Sequence, residues 1–294
     1  MNNKIENSKK VSLVSLIGNI FLLSIKSLVA FTSNSQSLIA DTFNSAGDIL
    51  SSFMTYVGSK ISSKNPDEDH NLGHGKAEYI YSLLVSIIML LFCINVIKDS
   101  IFSIIYNEKL NYSFKLIVIC IITILVKFVL FLYSRLLYKK DKSILIKTSY
   151  IDHRNDMLIT LTTLISIILS HNNIMYIDSI VGILISLWIM YVAVKLFIES
   201  YNVLMDKSLN DETKEKVISI VHKYNDIKGI RHFNSTPVGY KYQISFTIFV
   251  DGNMSTFKSH EIANKLEKDI IANVPEIYLA VIHVNPIKEE RRWN

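Results

Sequence analysis

Apolar residues run in long blocks through the first two hundred positions of this chain and then give way to short periodic patterns. Spanning a bilayer takes about 20 mostly apolar residues. Six blocks reach that length: 11–32, 37–59, 78–105, 114–138, 145–170 and 174–200. The fifth is irregular, because only 157–169 is cleanly apolar and the run "TSYIDHRND" must extend it. Beyond Tyr201 the period changes. Residues 211–224 place Val217, Ile218, Ile220 and Val221 at helical spacing, and 240–250 carry Ile244, Phe246, Ile248 and Val250 on one face of a strand. Residues 257–272 read as a helix and 277–284 as a strand, and a short strand fits near 229–236. The predicted architecture is an α-helical membrane domain of six transmembrane helices (1–205), followed by a small α+β domain (206–294) with the order αββαβ.

Composition agrees with that split. The 294 residues are 50% hydrophobic and 19% charged, too apolar for an ordinary soluble domain and too polar for a chain that lies wholly in lipid. Cys93 and Cys120 both sit in apolar runs without a shared motif, so they read as small core residues. A net charge of +5 is modest and implies no nucleic-acid partner. Its distribution is informative. The N-terminus (Lys4, Lys9, Lys10), the 60–77 loop (Lys60, Lys64, Lys76) and the 135–147 loop (Arg135, Lys139, Lys140, Lys142, Lys147) hold eleven basic residues; the opposite loops hold Lys98, Lys109 and Lys115. By the positive-inside rule both termini face the cytoplasm, in a multi-pass protein of the cell membrane.

Two polar insertions interrupt the apolar blocks. Asp41, Asn44 and Asp48 share one helical face, and so do Asp152 and Asp156, four apart. At about 1.5 Å per residue, Asp48 lies about 17 Å along its span from one membrane face, and Asp156 about 21 Å from the same face. The two carboxylates can therefore meet near mid-membrane, where isolated anions are costly. A shared divalent cation would match them. The alternative is a structural network with the intramembrane lysines Lys26, Lys127 and Lys195.

The strings "SLIADTFNSAGDILSS", "NPDEDHNLGHGKAEYI", "DHRND" and "LMDKSL", in that order, closely resemble the cation diffusion facilitator family, over essentially the whole chain. The resemblance implies a homodimeric antiporter that exchanges a divalent metal for protons, with a cytoplasmic ferredoxin-like domain. It implies a transport site of Asn44, Asp48, Asp152 and Asp156. Zinc-transporting members usually carry His at the first helix-5 position, where this chain has Asp152, with His153 one residue later. Zn²⁺ favours tetrahedral sites with His nitrogen, whereas an all-oxygen set suits harder ions. The set is similar to that of the manganese-exporting branch; Fe²⁺ is the close competitor, and zinc returns if His153 is the ligand.

The resemblance implies a second metal site at Asp67, His70 and His74, although "HNLGHG" could also only shape a turn through Gly73 and Gly75. It implies a charge interlock between Lys76 and Asp206. The family's cytoplasmic cluster falls on His232, Ile248, His260, His283 and Asn285, where Ile248 and Asn285 replace a His and an Asp and put a binuclear cluster in doubt. The expected activity is Mn²⁺ efflux, with no resident cofactor. A membrane enzyme built on paired aspartates would carry Tyr-Asp with Gly-x-Gly-Asp, or an Asp-Gly-Ala-Arg pattern, and neither occurs. A metal sensor without transport is the remaining alternative class.

Overall fold

The computed structural model describes residues 2–62, 64, 66–108, 111–141, 144–172, 174 and 176–287. Six long helices come first: α1 (Asn2–Ser33), α2 (Gln36–Ser62), α3 (Ala77–Ile105), α4 (Phe114–Asp141), α5 (Ile144–His171) and α6 (Ile177–Leu204). At about 1.5 Å per residue each is about 40–48 Å long, enough to cross a bilayer. The expected sixth block shifts C-terminally, because Tyr176 takes a left-handed φ of 68° and the helix starts only after it. Lys109 and Lys142, counted in the orientation argument, lie outside the described residues, as do the side chains of Lys4 and Lys9.

Length alone does not make a span. Among the described residues, four helices are apolar enough as well as long enough: Lys10–Ser33, Ala77–Ile105, Phe114–Lys140 and Ile177–Leu204. The second block, expected to span on its own hydropathy, falls short together with the fifth. The reason lies in their polar faces. Asp41 and Ser45 on α2, and His153, Asp156, Thr160 and Thr163 on α5, are buried against other helices rather than turned outward. Apolar side chains such as Phe31, Val129, Leu184 and Trp188 are exposed instead, the surface a helix presents to lipid.

The chain divides into two compact units, Met1–Thr55 with Ser82–Phe197 and Tyr56–Tyr81 with Ile198–Asn294. In the first, α4 buries Leu116, Cys120, Thr123, Lys127, Leu130 and Ser134, a seam stepping by fours and threes as a packed helix requires. Cys93 and Cys120 are free and buried, as small core residues. Between α1 and α2, Asn34 at φ 54° makes the break, a conformation Asn tolerates better than most residues. The opened N-terminus of α2 is then capped from α6. Asp178 accepts from Gln36 N at 2.7 Å, from Ser35 Oγ at 2.9 Å and from Ser37 Oγ, so a carboxylate meets the positive end of the helix dipole.

In the second unit the order after α6 is α7 (Asp211–Val221), β1 (Gly229–Val238), β2 (Lys241–Asp251), α8 (Thr256–Asn273) and β3 (Ile277–Ile287). This is the expected αββαβ. Asn210 caps α7 by accepting from Thr213 N, and Ser255 caps α8 by accepting from Lys258 N. The sheet runs β1-β2-β3, with β1 antiparallel and β3 parallel to β2. Ile244, Phe246, Ile248 and Val250 alternate inward on β2 and meet Val217, Val221, Leu266 and Ile270 from the two helices. That packing is the hydrophobic core of the domain.

Candidate metal centres

Inside the helical unit the two predicted polar insertions do come together. Asn44 on α2 donates its side-chain amide to Asp156 Oδ1 on α5 at 3.0 Å. The other oxygen of Asp156 binds the Lys127 ammonium, and Lys127 in turn donates to Asn19 Oδ1 at 2.8 Å. Asp48 is half-buried one turn from Asn44 and within electrostatic reach of Asp156 and Asp152; among the described residues its carboxylate accepts no hydrogen bond. Asp152 is exposed, and His153 beside it is buried with Nε2 2.8 Å from Ser15 Oγ on α1 and Nδ1 without a partner. The carboxylates of Asp48, Asp152 and Asp156 do not close to within 4.8 Å of one another in this arrangement.

Asp41, read beside Asn44 and Asp48 on one helical face, belongs to a separate network. Its Oδ2 accepts from Lys26 Nζ at 2.8 Å and from Thr160 Oγ1 at 2.9 Å, and Lys26 also reaches Ser45 at 3.3 Å. The lysine pairing weighed as an alternative to metal is thus realised at Asp41, and Asp156 has a lysine too. Lys195 is exposed and takes no part in these contacts. The α1 residues Ser15 and Asn19 were not anticipated. Their signal was available: with Leu22 and Lys26 they form a stripe stepping by four, three and four along α1, although Ser and Asn in a helix are too common to single out.

In the second unit, Asp67, His70 and His74 offer ligand atoms that all lie within 4.8 Å of one another, the only such group of three among the described residues. His70 N donates to Asp67 Oδ1 at 2.7 Å, His70 Nδ1 stands 3.2 Å from the same oxygen, and His74 Nε2 lies 3.4 Å from Oδ2. The backbone N–H of His70 is the main reason the Asp67 carboxyl is held below its usual range, so it presents an anion to the two imidazoles. Two imidazole nitrogens and a carboxylate, open on one side, suit a borderline divalent ion. Gly73, at φ 75°, makes the turn between the histidines, so the turn reading and the ligand reading describe one loop. Lys76 donates to Asp206 at 2.6 Å, the expected pairing. Gly75 meets Gly239 backbone to backbone, where a Cβ on Gly75 would stand 2.9 Å from the Cα of Gly239.

His232, His260 and His283 are each exposed and join no group of three among the described residues. Ile248, at 0% exposure, is part of the core and pairs with Ile230 and Val284 in the sheet. The position that a ligand would fill has been given to packing.

Residues 12–205 match the family described as the cation efflux transmembrane domain, and 209–287 match the cation efflux protein, cytoplasmic domain. The chain belongs to the cation efflux family. Similar proteins include the manganese efflux system protein MneP of Bacillus subtilis, 27% identical over 290 residues with 96% of this chain and 97% of the relative covered. MneS of the same organism is 28% identical, covering 98% and 99%. The metal-bound C-terminal domain of the CzcD transporter from Thermotoga maritima is 25% identical over 27% of this chain and 93% of that one, with a TM-score of 0.26. Family membership makes this a divalent-cation efflux protein of a membrane, and accounts for a chain that carries both a polar-lined helical bundle and a small α+β domain.

Proposed function

We propose that this protein exports Mn²⁺ across the cytoplasmic membrane in exchange for protons, with Asn44, Asp48, Asp152 and Asp156 as the ligands that carry the ion. The observation that carries the reading is the contact between Asn44 and Asp156, which joins the two polar insertions of α2 and α5 inside the bundle. All four candidate ligands offer oxygen, a set that suits Mn²⁺ better than Zn²⁺. The names of MneP and MneS point the same way for those two relatives. The open carboxylate of Asp48 is the natural first contact for an arriving cation, and closure of Asp152 and Asp156 around it would complete the shell.

On this reading α2 and α5 complete six spans, the termini lie in the cytoplasm, and the protein works as a homodimer through its C-terminal domain. Asp67, His70 and His74 form a second metal site in the loop. Metal and proton compete for the same carboxylates, so loss of the ion on one side and protonation in its place yields exchange.

The test is uptake into everted vesicles with Mn²⁺, Zn²⁺, Fe²⁺ and Co²⁺ at matched free concentrations, with and without a proton gradient. Mn²⁺ uptake that follows the gradient and collapses with an uncoupler is expected. Preferential Zn²⁺ or Fe²⁺ flux would replace the ion, flux indifferent to the gradient would remove the antiport, and binding without flux would leave a sensor.

A further inference from the structure

Lys127 lies on α4, outside both polar insertions, yet it is fully buried and its ammonium contacts a candidate ligand. With Asn44 on Oδ1 and Lys127 on Oδ2, both oxygens of Asp156 already hold protein donors. Each carboxylate oxygen keeps a second lone pair, so a divalent ion can still reach Asp156, but it then shares the carboxylate with the Lys127 ammonium. An amide can turn aside without electrostatic consequence, whereas an ammonium and a metal ion sharing one carboxylate oxygen repel strongly in a low-dielectric interior. The ammonium has a second acceptor within reach, Asn19 Oδ1 on α1 at 2.8 Å.

We infer that Lys127 is a tethered counter-cation of the transport site: its ammonium neutralises Asp156 when the site is empty and withdraws to Asn19 when the metal binds. The inference rests on the proposed reading of Asp156 as a ligand. It gives Lys127 two consequences. The empty site never leaves Asp156 as an uncompensated anion inside the bundle, a state that is costly when buried. And the bound metal always faces a competitor, so affinity is held down and release is hastened. Lys127 is on this account a positioning residue that sets affinity, and it does not ligate the ion.

Lys127→Gln keeps a hydrogen-bond donor for Asp156 and removes the charge. In purified full-length protein, the Kd for Mn²⁺ should fall about tenfold, and in vesicles KM and kcat should fall together because release slows. A merely structural lysine would lower the folded fraction or kcat without tightening binding, and that outcome would overturn the inference. Asp48→Asn, measured in parallel, tests the underlying reading: if it binds Mn²⁺ like the parent, the site itself is misplaced. If it loses binding while Lys127→Gln fails to tighten it, only the lysine's role is wrong. A structure of the unmodified protein with and without Mn²⁺ decides the case even if Lys127→Gln does not fold. Lys127 should be found on Asn19 and beyond hydrogen-bond reach of Asp156 when Mn²⁺ is bound; an unbroken Lys127–Asp156 contact in the loaded protein would refute the exchange.

Discussion

Asn44 donates to Asp156 at 3.0 Å although 112 positions separate them in the chain. The contact turns the polar faces of α2 and α5 towards each other, and it makes the aspartates of the candidate site unequal. Asp156 is held by an amide and an ammonium, while Asp48 has no protein donor among the described residues.

That inequality separates function from folding. Asp48→Asn should abolish Mn²⁺ flux without lowering stability, since among the described residues no hydrogen bond to its carboxylate is lost and a half-buried charge is removed. Asp156→Ala should abolish flux and also destabilise, by up to about 3–5 kcal/mol, because it leaves the buried Lys127 ammonium with only the neutral Asn19 acceptor. Flux in vesicles and thermal unfolding in detergent measure both. Equal melting temperatures for the two variants would show that the Lys127 contact contributes little to folding.

The Lys26–Asp41 pair predicts a compensating double variant. Lys26→Met alone leaves a buried carboxylate with only Thr160 as donor and should cost about 3–5 kcal/mol. Adding Asp41→Leu removes the stranded charge and should recover most of the loss. A double variant as unstable as the single one would mean that Asp41 has a partner beyond Lys26 and Thr160.

Ion choice should respond to Asp152 rather than to its neighbour. Asp152→His brings a nitrogen to a set of oxygens and should raise Zn²⁺ flux relative to Mn²⁺. His153→Ala should leave that ratio alone, because the His153 ring is turned to Ser15 on α1. If His153→Ala shifts the ratio and Asp152→His does not, His153 is the ligand.

In the C-terminal domain, Ile248→Ala should cost about 2–5 kcal/mol, as a large-to-small change in a close-packed core. Lys76→Ala should cost less than about 1 kcal/mol, since the Lys76–Asp206 pair is substantially solvated. Denaturant unfolding of the full chain, followed by a domain-specific probe, compares them. A larger loss for Lys76→Ala than for Ile248→Ala would show that the interlock holds more than one contact.

Much of this molecule is legible from local pattern. Block length and apolar content locate the six helices to within a few residues at most ends, and the alternation of Ile244, Phe246, Ile248 and Val250 marks the inward face of β2. The loop group Asp67, His70 and His74 is legible for the same reason: eight residues of chain and one tight turn suffice to bring its ligand atoms together. These are properties that neighbours in sequence settle among themselves, through helical rise, strand alternation and turn geometry.

What sequence could not decide is which polar residue meets which. Asp41, Asn44 and Asp48 differ by no more than a turn or two along α2, yet Asp41 pairs with Lys26 of α1 and Asn44 with Asp156 of α5. Lys127 is one of the three lysines read as intramembrane, with Lys26 and Lys195, and only the packing of α4 against α1 and α5 sets its ammonium between Asn19 and Asp156. His153 and Asp152 fit a ligand face about equally well on helical spacing, and the ring goes to Ser15 because α1 lies on that side. Sequence determined that charges are buried in this bundle; the tertiary structure decided their partners, because in a low-dielectric interior a charge takes whichever opposite group the packing of distant helices brings within reach.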